Sequence, residues 1–325
     1  MDNNTTGLAH TRKPLLLVRG VEWRMSELEG AINEHFDVHF AESDDAYQAM
    51  IDGLGPRVDA LVTNGMHGLS AHQMEKLPRL RIIHCRGAGT ENIDLQTAKQ
   101  KGIVVTSGAG ANAFVVADQA MALLLAAVRS TVRLDVEARA ERFDHASARP
   151  LPSLSGKRIG IAGLGNIGLG IARRAEGFDM EVGYFTRTAK QDLSYRHFST
   201  MIELAGWCDF LVIALPGGND TRNLVGSEVL QALGGEGYLV NVARGAIVDT
   251  TALVHALNAG TIAGAALDVW EGEPKVDAAL LSAANLTLSP HVGGFAEEAA
   301  AATFDRMLQN LQAFFNGRAL VSRLV

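Results

Sequence analysis

A chain of 325 residues, 47% hydrophobic and 20% charged, carries enough apolar material for two cores, which excludes both a disordered chain and a small disulfide-stapled one. The formal charge of −7, with Lys and Arg scattered rather than run together, excludes the basic footprint of a nucleic-acid binder and leaves a small molecule as the expected partner. Two cysteines, Cys85 and Cys208, each inside an apolar stretch, fit a reduced, cytoplasmic protein without a disulfide framework.

The opening MDNNTTGLAHTRKP lacks an apolar signal core. Short β-type runs separated by helix-length segments then follow one another: PLLLVRG, FDVHF, VDALVTNG, LRIIHCRG and GIVVTSG. This alternation predicts a parallel sheet covered by helices. Residues 112–131 are apolar on nearly all sides, which predicts a helix buried between layers or between domains; AFVVADQAMALLLAAV is broken by Asp118 and Gln119 and is too short to cross a bilayer, so no membrane partner is expected.

A second series comprises RIGIAGLG, EVGYFTR, FLVIALP, GYLVNVAR, AGAALDVW and NLTLSPHV, six runs where a dinucleotide-binding sheet needs six strands. In EEAAAATFDRMLQNLQAFFNG, the residues Phe304, Met307, Leu308, Leu311, Phe314 and Phe315 recur at helical spacing and Gly317 supplies a stop. That helix is expected to return to the first domain. The reading is α/β: two doubly wound parallel-sheet domains flanking a cleft, one over 1–110 completed by 293–325, the other over 111–292. The Gly-rich crossings near 108–111 and 292–295 are the expected hinges.

RIGIAGLGNIGLGIARRA sets Gly163, Gly165 and Gly168 in G-x-G-x-x-G register between a strand and a helix. Gly163 permits the tight turn, Gly165 admits a pyrophosphate to the backbone, Gly168 lets helix and strand pack closely, and the helix N-terminus favours the anion. The second strand ends in GYFTRTAK, where an NAD site would carry an acidic residue. Thr186, Arg187 and Thr188, with Lys190 beyond, can instead hold a ribose phosphate, which favours NADP while leaving NAD possible. A solvated basic loop is the plainer alternative for this segment.

Three ionisable residues close or follow later strands: Arg244 in NVARG, Glu273 in DVWEGEP and His291 in SPHVGG. Carboxyl ends of parallel strands line the ligand crevice, so the three can converge on one cofactor. Each alone reads as a surface or boundary residue. Together they suit reduction of a 2-keto acid: Arg244 pairs with the substrate carboxylate, His291 donates the proton, and Glu273 orients the ring and favours its charged form.

These motifs, with GAGTENIDLQTAKQKGIVVTSGAGANAFVVADQAMALLLAAVR, LSGKRIGIAGLGNIG, LPGGNDTRNLV, LVNVARGAIVDTTALVHALNAGTIAGAALDVWEGEP and LTLSPHVGG in that order, resemble the D-isomer-specific 2-hydroxyacid dehydrogenase family. The resemblance spans nearly the whole chain. It implies a Rossmann-type NAD(P)-binding domain beside a flavodoxin-like substrate-binding domain, a homodimer paired through the cofactor domains, and Arg244, Glu273 and His291 as the catalytic triad. It further implies substrate contacts from the backbone of Ala88 and Gly89, Asp268 at the nicotinamide amide, and cofactor contacts at Asn166, Ile167, Pro216, Thr221, Ala243 and Gly293.

YFTRT resembles the NADP-preferring glyoxylate, hydroxypyruvate and hydroxyphenylpyruvate reductase branch. Arg86 and Thr90 flank the substrate loop differently from the common V-G-Y-D-N-I-D form, and Phe295 follows HVGG where a small or polar residue is usual. The expected activity is therefore NAD(P)H-dependent reduction of a small 2-keto acid to the D-2-hydroxy acid, with a bulkier aryl or sugar 2-keto acid as the alternative. A dinucleotide-sensing corepressor would keep the same motifs, but no long polar, Pro-rich or Ser-rich docking tail accompanies them. Formate-type enzymes of this scaffold carry Gln where Glu273 stands. A metal site is not expected, since His67 and His72 are too far apart to chelate from one helical turn, and no G-x-S-x-G elbow of a Ser hydrolase is present.

Overall fold

A computed structural model describes residues 12–19, 26–142, 150–191 and 193–325. Most of the opening segment read for a signal core lies outside the described residues. The chain forms two compact units, Met1–Ala111 with Ala300–Val325, and Asn112–Ala299.

In the first unit the strands are β1 (Leu15–Arg19), β2 (Asp37–Ala41), β3 (Ala60–Thr63), β4 (Ile82–Cys85) and β5 (Val104–Ser107). All pair in parallel, in the order β2-β1-β3-β4-β5, the doubly wound order of flavodoxin-like sheets. Continuous Leu, Ile and Val runs make both faces of the sheet apolar, so both must be covered. Leu15, Leu17, Leu61, Ile83 and Val105 face one core. The alternate residues Leu16, Val18, Val62 and Ile82 pack with Phe304, Met307 and Leu311. Those three belong to the helix Glu297–Phe315, whose apolar face thus covers one side of the sheet; each buried side chain contributes about 1.5–3 kcal/mol. Gly317 takes a φ of +66° just past the helix, a backbone state that suits glycine and ends the helix.

The second unit holds β6 (Arg158–Ala162), β7 (Glu181–Phe185), β8 (Arg196–Phe198), β9 (Phe210–Ile213), β10 (Tyr238–Asn241), β11 (Gly264–Leu267) and β12 (Leu286–Leu288). The order is β12-β11-β10-β9-β6-β7-β8, all parallel. Counted from β6, this is the dinucleotide-binding order with one strand added at the β12 edge. The sequence predicts six strands and the sheet has seven. The unpredicted one is β8, which pairs with β7 through Gly183↔Arg196, Tyr184↔His197 and Phe185↔Phe198. A three-residue strand reading Arg-His-Phe has no apolar periodicity to announce it.

The helix Ala113–Val128 lies where burial was expected, with Val116, Ala117, Ala120 and Leu124 packed on Ile159, Ile161, Val212 and Val240 of the sheet. The other sheet face seats Leu211, Ile213, Leu239 and Leu267 with Cys208. Gly160 makes that contact possible, since a Cβ there would lie 2.7 Å from the Cys208 sulfur. Cys208 and Cys85 are both buried thiols outside any disulfide, and the Cys85 thiol donates to the Gly89 carbonyl at 2.7 Å. A further helix, Thr131–Arg139, was not predicted; it buries none of its residues and carries the pairs Arg133–Glu137 and Asp135–Arg139 at i,i+4 spacing. Among the described residues no single helix is long and apolar enough to cross a membrane.

Candidate active site

The glycine loop joins β6 to the helix Asn166–Glu176, whose N-cap is Gly165. Gly163 has a φ of +97°, and a Cβ there would sit 2.7 Å from the Ala214 carbonyl oxygen. A Cβ on Gly168 would sit 2.0 Å from the carbonyl oxygen of Gly163, so only glycine lets the helix approach this turn. Around Gly165 nothing lies within 4 Å of an added Cβ. Asn166 and Ile167 open a helix with no side-chain cap, which leaves first-turn N–H groups to meet an anion. The loop therefore has the open backbone and positive dipole end that a dinucleotide pyrophosphate requires.

At the end of β7, among the described residues of this segment, Thr186, Arg187 and Thr188 stand where a carboxylate would. The Thr186 hydroxyl donates to the Thr188 carbonyl at 2.7 Å, and the Lys190 N–H donates to the Tyr184 hydroxyl at 2.9 Å. His197, on the unpredicted β8, places Nε2 2.9 Å from the Thr186 carbonyl. These bonds fix the turn and leave Arg187 exposed, a geometry that fits a ribose phosphate. Pro216 and Thr221 are joined, the Thr221 hydroxyl donating to the Pro216 carbonyl at 3.0 Å. Ala243 follows β10 and receives, on its carbonyl, the Arg244 Nη1 donor at 2.7 Å.

Arg244, Glu273 and His291 all follow the carboxyl ends of strands, β10, β11 and β12 in turn. His291 Nδ1 lies 2.7 Å from Glu273 Oε2, while Glu273 Oε1 accepts from the Trp270 N–H at 2.9 Å. The Trp270 indole is held in turn, its N–H donating to the Lys275 carbonyl at 2.7 Å. The hydrogen bond to Glu273 raises the His291 pKa above the usual imidazole value; partial burial and the Arg244 charge oppose it, and the carboxylates of Glu273 and Asp268 support it. Burial works against ionisation of Glu273, but the His291 hydrogen bond and charge, the Trp270 N–H and Arg244 outweigh it and hold its pKa below the ordinary value. Arg244 acts electrostatically on both partners, so the three form one charge cluster.

His291 itself has a φ of +55°, a left-handed state rare for a residue with a Cβ. Beneath it, Asp268 is 2% exposed and spends its carboxylate on this loop. Oδ1 accepts from the Ser289 hydroxyl at 2.5 Å and the Val292 N–H at 3.1 Å, and Oδ2 accepts from the Gly293 N–H at 2.8 Å. The resemblance assigns Asp268 and Gly293 to the cofactor alone; the structure binds them also to each other. Ser289, Gln119, Trp270 and His197 escaped the sequence reading. For Gln119 a signal existed, since with Asp118 it interrupts an apolar helix.

Ala88 and Gly89 belong to the other unit and follow β4 at the carboxyl edge of the five-stranded sheet. Ala88 is exposed. Among the described residues, no group of three or more His, Cys, Asp and Glu is arranged to hold a metal ion.

Residues 121–293 match the family model described as D-isomer specific 2-hydroxyacid dehydrogenase, NAD binding domain. The chain is 36% identical over 300 residues to glyoxylate/hydroxypyruvate reductase A of Arabidopsis thaliana, covering 92% of this chain and 96% of that protein. It is likewise 36% identical to the 2-ketogluconate reductase of Gluconobacter oxydans, covering 85% and 89%. The structure resembles the NADPH-dependent glyoxylate/hydroxypyruvate reductase of Sinorhizobium meliloti solved with NADP and malonate, with a TM-score of 0.86, 36% identity and coverage of 96% and 97%. The glycine loop, the charge cluster and this full-length similarity place the chain in the D-isomer-specific 2-hydroxyacid dehydrogenase family, as an NAD(P)-dependent oxidoreductase.

Proposed function

We propose that this enzyme reduces a small 2-keto acid of the glyoxylate or hydroxypyruvate type to the D-2-hydroxy acid, with NADPH preferred over NADH. The observation that carries the mechanism is the 2.7 Å contact between His291 Nδ1 and Glu273 Oε2 beside the Arg244 charge. NADPH, when bound along the glycine loop with Arg187 at its ribose phosphate, supplies the hydride.

With Nδ1–H committed to Glu273, the second ring nitrogen of His291, Nε2, is the one that can give its proton to the keto oxygen. Glu273 keeps the imidazole charged until that transfer and stabilises it by attraction. Arg244 pairs with the substrate carboxylate and draws electron density from the carbonyl. Its main-chain carbonyl accepts from the side-chain amide of Asn241, the last residue of β10, at 2.9 Å, so Arg244 is anchored to the strand end. Ala88 and Gly89, on the other unit, are substrate contacts by the family resemblance, through their backbone N–H groups. The enzyme works as a homodimer, and its two buried thiols, not joined in a disulfide, fit a reducing, cytoplasmic setting.

A second reading, a larger 2-keto acid, is favoured by Phe295. It is 82% exposed and lies four residues beyond His291, an apolar surface that a bare glyoxylate would leave unused. Initial rates with glyoxylate, hydroxypyruvate, phenylpyruvate and 2-ketogluconate, each with NADPH and with NADH, test both readings. The small acids should give the highest kcat/KM with NADPH. Higher kcat/KM for the two bulkier acids would select the second reading, and no turnover of any of them would overturn both.

A further inference from the structure

We propose that Gln119 and Ser289 are positioning residues that act through Asp268 to hold the main chain at His291 in the conformation from which its imidazole meets Glu273. The inference rests on the reading of His291 as proton donor and adds what fixes that donor in place.

A non-glycine residue at positive φ costs about 1–2 kcal/mol, and it persists only where its surroundings over-determine it. At His291 the determining bonds can be followed one by one. Its own N–H meets the Asp268 carbonyl at 2.8 Å and the Ser289 carbonyl at 3.0 Å. The next two N–H groups, of Val292 and Gly293, divide themselves between the two oxygens of the Asp268 side chain. One aspartate thus fastens three successive residues, by its main chain at His291 and by its carboxylate beyond. The approach is close enough that a Cβ on Gly293 would sit 2.7 Å from Asp268 Oδ2.

What orients the carboxylate is the chain behind it. Ser289 donates its single hydroxyl proton to Asp268 Oδ1 at 2.5 Å, and Gln119 Nε2 donates to the Ser289 oxygen at 3.0 Å. An amide nitrogen can only donate and a hydroxyl has one proton to give, so the direction Gln119 to Ser289 to Asp268 is fixed by valence. Gln119 reaches out from the helix Ala113–Val128, which packs against the sheet beneath the site. A polar side chain on that apolar helix, aimed at the serine two residues before the catalytic histidine, has a purpose that packing alone does not supply.

The test uses Ser289→Ala, Ser289→Thr, Gln119→Leu and the Ser289→Ala, Gln119→Leu double variant of the full chain. Misplacement of a proton donor by a fraction of an ångström lowers turnover without touching the glycine loop. Ser289→Ala should therefore lose about tenfold or more in kcat, while the NADPH Kd from fluorescence titration and the keto-acid KM stay within about twofold. Ser289→Thr, which keeps the hydroxyl, should recover most of the loss. Gln119→Leu should lose less, and the double variant should be no worse than Ser289→Ala, because both changes cut one chain.

An unchanged kcat in Ser289→Ala, or losses that multiply in the double variant, would overturn the proposal. Should Ser289→Ala not fold, Gln119→Leu decides by the same criterion. If the wild-type chain turns over no 2-keto acid, the functional reading fails, and the positioning is then read by NMR from the His291 ring. The pH titration and resonances of that ring should change in Ser289→Ala and in Gln119→Leu but not in Ser282→Ala, an exposed control; identical titrations in all would sink it.

Discussion

Replacing Glu273 by Gln keeps the shape of the side chain and removes its charge. Both carboxylate oxygens are in use, one by the Trp270 N–H and one by His291 Nδ1. A carboxamide offers a single acceptor oxygen, so one of these donors must face an NH2 group; losing that hydrogen bond costs about 0.5–1.5 kcal/mol. The charge itself matters more for the chemistry. Two unit charges about 4 Å apart attract by about 1 kcal/mol in water and by about 4 kcal/mol at an effective dielectric constant of about 20. The His291 side chain is 45% exposed, so solvent screening puts the pair in the lower half of that interval, about 1–2 kcal/mol.

Reduction needs His291 protonated, and its pKa is raised by Glu273, so activity persists above the usual imidazole range and fades as pH rises through the raised value. Without the carboxylate that fading comes earlier. With one decade of protonation equilibrium per about 1.4 kcal/mol, the alkaline limb of kcat/KM in the Glu273→Gln variant should move about one pH unit downward. The same pair contributes to stability above the depressed Glu273 pKa and below the raised His291 pKa, and is lost on either side. The difference in Tm between wild type and variant should accordingly be widest in that window. Initial rates across about pH 5–9, with thermal melts in the same buffers, measure both. An alkaline limb at the same pH in both proteins would refute the role given to Glu273.

Arg187→Ala should weaken NADPH by about tenfold, the value of one charge-assisted contact of about 1.4 kcal/mol, and leave NADH nearly unchanged; equal losses of the two in titration would remove Arg187 from the phosphate. In Gly168→Ala the new methyl meets the Gly163 carbonyl oxygen at 2.0 Å, an overpacking of about 1–3 kcal/mol. Calorimetry should show a Tm lower by about 2–4 °C per kcal/mol lost, with weakened binding of both dinucleotides, and an unaltered Tm with intact binding would disprove the close approach.

Eleven strands were legible because each lies in an apolar run of its own, from LLLVR in β1 to LTL in β12. β8 was not, because its place depends on pairing with β7 rather than on its own three residues. The helix Thr131–Arg139 hid for a different reason. Its support is i,i+4 charge pairing, a pattern visible in the sequence but weak beside hydrophobic periodicity. At the site, Arg244, Glu273 and His291 stood out as ionisable residues after apolar runs. Ser289 did not, and Gln119 showed only as a polar break in an apolar run; 170 positions separate the two, and a hydrogen bond over that span leaves no local pattern. The left-handed backbone of His291 was equally hidden, since nothing in SPHVGG marks which of its residues takes positive φ.

The two cysteines give this molecule a built-in gauge of its own integrity. Burial pushes the Cys208 thiol up to about 12, and Cys85 lies fully inside the other unit. A thiol kept from solvent is out of reach of alkylating or oxidising reagents. Each sulfur therefore stays silent until the unit around it opens, and each unit has one. The order in which Cys85 and Cys208 become labelled is the order in which the two halves of the enzyme come apart.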